Sequence, residues 1–281
     1  MELLQPVTWQ EALEARAAHP GALPLHGGTD VMVDLNFGRE RPEAILDLTR
    51  VEELEHWEER NGVLRVGAGV TYTRAITELG DRLPGLAGAS RTVGSPQIRN
   101  RGTIGGNLGS SSPAGDALPP LYASDAEVEL AGPNGTRTVP IADFVTGPKR
   151  NVLADDELIA AFLVKPASGP QQFAKIGTRN AMVIAVCSFA LAIHPEERRV
   201  GTCIGSAGPT PIVATEAETF AAQMLDWDGG TAPAQEDLVR FGELVGAAAS
   251  PIDDVRGSAA YRRHALGVLA RRSLAWAWDE R

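Results

Sequence analysis

Cysteine is scarce in this chain: Cys187 and Cys203 are the two among 281 residues. Both stand in apolar, strand-like surroundings and read as buried reduced thiols. Two separated cysteines cannot hold an iron–sulfur cluster, which ordinarily takes four, so such metal chemistry would have to lie in another chain. Positive charge is also in deficit, with 26 Lys and Arg against 36 Asp and Glu and a formal net charge of −10. Nucleic acids and anionic membranes are bound through fields of Lys and Arg, so the balance argues against both. Any anionic ligand must then be held locally. No run approaches the roughly 18 continuous apolar residues of a membrane span. Residues 1–20 carry Glu2, Glu11 and Glu14 in place of the basic and apolar regions of a secretory signal, and a cytoplasmic location is expected. Aromatics are few, at 5%, but 43% hydrophobic and 22% charged residues suffice for a globular mixed helix and sheet protein.

The pattern of elements can be read in part. Thr8 with Glu11 forms a capping box before Ala12, Leu13 and Ala15, predicting a helix that ends before Pro20. Thr71 precedes Tyr72, Ile76, Leu79 and Leu83 at helical spacing, with Pro84 expected to close that helix. Ser258 starts a third, marked by Tyr261, Ala265 and Leu269. Short β-branched segments fall at 44–48, 63–66, 127–131, 136–141, 158–164 and 183–193. Asn134-Gly135 supplies the positive φ of a tight hairpin turn. A further hairpin is expected at 194–199, and an Ala-rich helical region follows Thr215, broken at 226–230. The class is α+β. Pro166, Gly169 and Pro170 mark a joint between lobes.

Two glycine-rich segments stand out. Five glycines fall between Val93 and Gly109, followed by Ser110, Ser111 and Ser112, a run expected to form neither regular helix nor strand. Amides without side chains allow a backbone to approach a pyrophosphate closely, and N–H groups bind anions whatever the net charge. The other segment is Leu25-His26-Gly27-Gly28-Thr29-Asp30. Neither fits the dinucleotide fingerprint G-x-G-x-x-G between strand and helix, nor the P-loop with its Gly-Lys-Ser/Thr.

Gly27-Gly28-Thr29-Asp30, then residues 96–108 with Arg99-Asn100-Arg101-Gly102-Thr103-Ile104-Gly105-Gly106-Asn107, then Ser112-Pro113-Ala114-Gly115-Asp116, together resemble the FAD-binding, or medium, subunit of the xanthine dehydrogenase and carbon monoxide dehydrogenase family. The resemblance covers nearly the whole chain, with Phe173, Lys175 and Arg179 similar to a third flavin segment and Tyr261-Arg262-Arg263 similar to the C-terminal helix. It implies an FAD-binding fold of the vanillyl-alcohol oxidase type in two subdomains, 1–55 and 56–170, plus a C-terminal domain, 171–281, with a three-stranded sheet. It also implies that His26, Gly27, Gly28, Thr29 and Asp30, with Thr103, Ile104, Gly105, Gly106 and Asn107, wrap the FAD pyrophosphate through N–H groups and hydroxyls. Asp116 matches a position near the ribose, Ile159 a main-chain flavin contact, and Lys175 a lysine near the flavin ring. Read as residues alone, Asp116 could simply cap the segment entering Ala117-Leu118 and Lys175 could be a solvated strand residue. Arg99 and Arg101 could be surface charges or could pair with phosphate or a partner. His26 replaces the small residue usual before Gly-Gly, and Met182 and Val183 stand where many relatives carry acids.

The resemblance further implies an electron-transfer role in a heterotrimer: a large molybdopterin subunit oxidises the substrate, a small two-iron two-sulfur subunit relays electrons, and FAD passes them to a final acceptor. No catalytic acid, base or metal ligand of this chain's own is expected. The alternative is a self-sufficient flavin-dependent oxidase of the same fold, which would need a substrate pocket in a C-terminal lobe of only about a hundred residues.

Overall fold

A computed structural model describes residues 1–281 except Glu40. The chain begins with a parallel sheet in the order Glu2–Leu4, Ala44–Asp47, Leu23–Leu25. Parallel neighbours need a crossover connection, and the helix Trp9–Ala18 supplies the first. Its capping box forms as expected: Thr8 Oγ1 accepts from the Glu11 N–H, and the Glu11 carboxylate accepts from the Thr8 N–H.

An antiparallel sheet follows in the order Trp57–Arg60, Val63–Gly67, Leu158–Val164, Glu127–Gly132, Gly135–Pro140. Its central strand Leu158–Val164 arrives last in sequence and is buried on both sides, which explains its unbroken apolar run. The hairpin at Asn134-Gly135 closes with Gly135 at φ +107°. Leu64, Val66, Leu130, Phe162, Leu108 and Leu118 form the core over this sheet, each without exposed surface. Complete burial of each large apolar side chain contributes about 1.5–3 kcal/mol.

The C-terminal unit is an antiparallel sheet in the order Gln171–Ile176, Cys187–His194, Arg199–Gly205, joined at the expected hairpin where His194 faces Arg199. Helices Thr215–Met224, Gln235–Ala248 and Ala259–Asp279 cover it. The last two cross where Gly242 meets Gly267: a Cβ on Gly242 would lie 2.4 Å from the Gly267 carbonyl oxygen. Phe189, Phe241 and Trp278 fill the core beside this crossing. Among the described residues, no helix is long and apolar enough to cross a membrane.

Two local expectations are corrected. The helix capped by Thr71 is Tyr72–Glu78, and Pro84 begins the next one, Pro84–Thr92. Proline suits a first helical turn, where its missing N–H has no partner to lose. The glycine-rich run also holds two short helices, Pro96–Arg99 and Ile104–Ser110. Thr103 caps the second through its hydroxyl, which accepts from the Gly106 N–H at 2.8 Å, so a local cap and tertiary packing override the weak helix propensity of glycine.

Candidate cofactor site

The strand Leu23–Leu25 runs into residues 26–30, which turn with Gly28 at φ +72° before the helix Val31–Asn36. Among the described residues, none of the main-chain N–H groups of 26–30 finds an acceptor in the protein. Successive N–H groups around a left-handed residue make a concavity that attracts anions. The loop is held from behind: a Cβ on Gly27 would sit 2.2 Å from the Arg101 carbonyl oxygen. Asp30 Oδ2 accepts from Ser110 Oγ at 2.8 Å. The two glycine-rich segments, seventy residues or so apart by simple numbering, are therefore in direct contact.

The second segment contributes differently from the expectation. The N–H groups of Ile104 and Gly105 donate to the carbonyls of Val70 and Ala68, both at 3.1 Å, and Gly106 donates to Thr103. Gly105 is required by this docking, since its Cβ would lie 2.4 Å from that of Ala68. These three amides are committed to the protein, whereas the N–H groups of 26–30 and of Thr103 find no acceptor among the described residues. Asn107 Oδ1 accepts from the Ala117 N–H at 3.2 Å, tying the short helix to the segment leading to Asp116.

A cavity of about 1280 Å³ opens beside these segments. Residues 26–30, Thr103, Gly105, Gly106, Asn107 and Ile159 line it. Three expected site residues do not. Ile104 is fully buried behind the wall. Asp116 and Lys175 face each other, with Lys175 Nζ 2.5 Å from Asp116 Oδ2 and 3.1 Å from the Thr92 carbonyl. Neither the solvated lysine nor the simple cap describes them: both side chains are less than a tenth exposed. Burial pushes the Asp116 carboxyl above the usual carboxylate range although Lys175 pulls it down. Arg99 turns its guanidinium to the carbonyls of Val93 and Gly94, closing its own loop.

His26 sits on the cavity wall with Nε2 buried and unpartnered among the described residues. Burial holds its ring below the usual histidine range, against the pull of Glu55 and Asp47 and with the repulsion of Arg101. The far end of the cavity is lined by residues of the C-terminal unit that carried no sequence signal for a site, including Ser206, Ser250, Asp254, Arg256 and Arg262. Ser206 holds φ +59°, which nothing in its residue type announces.

Residues 1–166 match the family described as the FAD binding domain in molybdopterin dehydrogenase, and residues 172–277 match the CO dehydrogenase flavoprotein C-terminal domain. The chain belongs to the FAD-binding subunits of the molybdenum hydroxylase family. It is 31% identical over 276 residues to the putative xanthine dehydrogenase FAD-binding subunit XdhB of Escherichia coli K12, covering 94% of this chain and 91% of that one. It is 28% identical over 260 residues to the carbon monoxide dehydrogenase medium chain of Hydrogenophaga pseudoflava, with coverages of 90% and 88%. The solved carbon monoxide dehydrogenase of Hydrogenophaga pseudoflava that lacks the Mo-pyranopterin moiety superposes with a TM-score of 0.90 at 27% identity, covering 100% of this chain and 98% of that one.

FAD is thus the cofactor of an oxidoreductase subunit, and the site fits it. Unpaired N–H groups on 26–30 suit a pyrophosphate, and the cavity extends to either side of them with the room a dinucleotide needs.

Proposed function

We propose that the chain is the electron-transfer subunit of a cytoplasmic molybdenum hydroxylase complex. In this reading a large molybdopterin subunit oxidises the primary substrate, and a small two-iron two-sulfur subunit delivers the electrons to this chain, which releases them to a final acceptor. FAD supplies the redox chemistry when bound. The protein supplies position: N–H groups of His26, Gly27, Gly28, Thr29 and Asp30 donate to the pyrophosphate. Thr103, Gly105, Gly106 and Asn107 set the wall behind it, with Ile104 anchoring that wall from the core. Ile159 offers backbone along the cavity, and the Asp116–Lys175 pair stiffens the segment beneath. The carrying observation is one cavity that runs from an anion cradle to the surface of a second folding unit. The relatives named as FAD-binding subunit and medium chain support the reading.

The test is anaerobic. The FAD-loaded chain is mixed first with organic substrates alone and then with reduced iron–sulfur partner, while flavin absorbance is followed. Bleaching only with the partner is expected. Bleaching by an organic substrate with the isolated chain would instead establish the self-sufficient oxidase.

A further inference from the structure

The end of the cavity made by the C-terminal unit contains three unusual features in contact. Ser206 is a non-glycine residue in the left-handed region, at φ +59°. Such backbone is strained for a residue with a side chain and persists where the surroundings impose it, often at functional sites. Its main chain is clamped from both sides, since the Ser206 N–H donates to the Pro113 carbonyl at 2.8 Å and the Ser206 carbonyl accepts from Arg262 at 2.9 Å. Its hydroxyl is buried and, among the described residues, has no partner. Arg262 is 4% exposed, with its Nε likewise unpartnered. Its other nitrogen donates to Asp254 at 2.5 Å, and Asp254 also meets Arg256 at 3.2 Å. One carboxylate facing two guanidiniums leaves a net positive charge at this end of the cavity, whose wall includes all four residues.

Orphaned buried polar atoms require an explanation, and an unseen ligand is one. The cradle of 26–30 fixes where a pyrophosphate lies, so one end of the cavity takes the adenosine and the other the ring. The end toward Arg16, Leu48, Leu54 and Leu158 is walled by buried residues of the helix Trp9–Ala18, of the link between the first two sheets and of the strand Leu158–Val164. The opposite end is rimmed by Ile184 and Ile252, both more than half exposed. A redox ring must be approachable by its partners, which places it at the open end.

We propose that Ser206 and the Asp254, Arg256 and Arg262 cluster form a subsite for the polar edge of the flavin ring. The Ser206 hydroxyl, which has no partner among the described residues, would be available to hydrogen-bond the ring's polar edge. The net positive cluster raises the reduction potential by favouring added electrons. The clamp on Pro113 couples this subsite to the cradle through the 112–116 segment. The inference rests on FAD occupying the cavity.

Ser206→Ala and Arg256→Gln are compared with the wild-type chain by FAD titration and by spectroelectrochemistry. Ser206→Ala should weaken FAD about three- to tenfold, the weight of one neutral hydrogen bond. Arg256→Gln, altered at a half-exposed side chain, should lower the midpoint potential while leaving thermal stability unchanged. Wild-type affinity in the first with an unmoved potential in the second overturns the subsite. Failure of the wild-type chain itself to take up FAD would instead strike the cofactor reading, so the two failures are distinguishable.

Discussion

Lys175 and Asp116 form a salt bridge at 2.5 Å with side chains 7% and 8% exposed, across a separation of 59 residues. The bridge joins the first strand of the C-terminal unit to the segment that follows the second glycine-rich run. Both charges have left water, so removal of one strands the other. Lys175→Met should cost about 3–5 kcal/mol. The double variant Lys175→Met with Asp116→Leu should recover most of that loss, because no buried charge remains. Urea unfolding of the two singles and the double decides it; a double variant as unstable as the sum of the singles contradicts the explanation.

The adjacent glycines of the cradle differ in what they tolerate. Gly27→Ala would drive a Cβ to 2.2 Å from a main-chain oxygen that cannot swing away. FAD uptake should then be lost, because the 26–30 loop is pushed off the Arg101 segment. Gly28 has only flexible side chains near its Cβ position, the closest 3.4 Å away, but holds φ +72°. Gly28→Ala should cost about 1–2 kcal/mol of backbone strain and retain weakened FAD binding. Equal FAD affinities in the two variants would show that the close approach to Arg101 is not what shapes the loop.

Stability should fall on mild acidification, in part through His26. Its folded value is lowered, so the unfolded chain binds more protons in the window just below about 6.5, the ordinary histidine value. The neutral ring's stability contribution is present above that window and lost as pH drops through it. His194, lowered by burial and by Arg199, adds to the same slope. His26→Gln should flatten part of the slope between about pH 5 and 7. Parallel slopes for wild type and variant, measured by denaturant midpoints, would remove His26 from the account.

Gly242→Ala tests whether the two long C-terminal helices are set by their glycine contact. The added methyl would meet the Gly267 carbonyl oxygen at 2.4 Å, and overpacking of this kind costs about 1–3 kcal/mol. Thermal unfolding should shift down while FAD affinity at low temperature stays near wild type, since neither Gly242 nor Gly267 lines the cavity.

Local signals in the sequence carried well where one residue dictates one geometry. Thr8, Thr71 and Ser258 each cap the helix they announced, with the side chain accepting from the N–H three residues on. The strand Leu158–Val164 and the turn at Gly135 were equally legible. Short edge strands such as Leu23–Leu25 were not, because three residues give no periodicity. At the site, the cradle residues could be named from the motif, but their division of labour could not. Whether the Gly105 amide is free depends on the Ala68 carbonyl, a tertiary partner with no trace in the run itself. Asp116 and Lys175 are among the residues that the resemblance implies for the site, yet their pairing is a fact of sheet placement. Ser206 was invisible, since left-handed backbone at serine is imposed by Pro113 and Arg262 from elsewhere in the chain.

The contact of Gly27 with the Arg101 carbonyl has a consequence for the order of assembly. The loop that offers N–H groups to an anion is stable in that shape only once the second glycine-rich run has folded against it. That run is in turn pinned by Ala68 and Val70 of the second sheet's border. Cofactor uptake is therefore a late event that inspects finished tertiary structure, and a yellow molecule certifies its own folding. Hydrogen exchange should show residues 26–30 among the last amides to gain protection, and to gain it only when flavin is added.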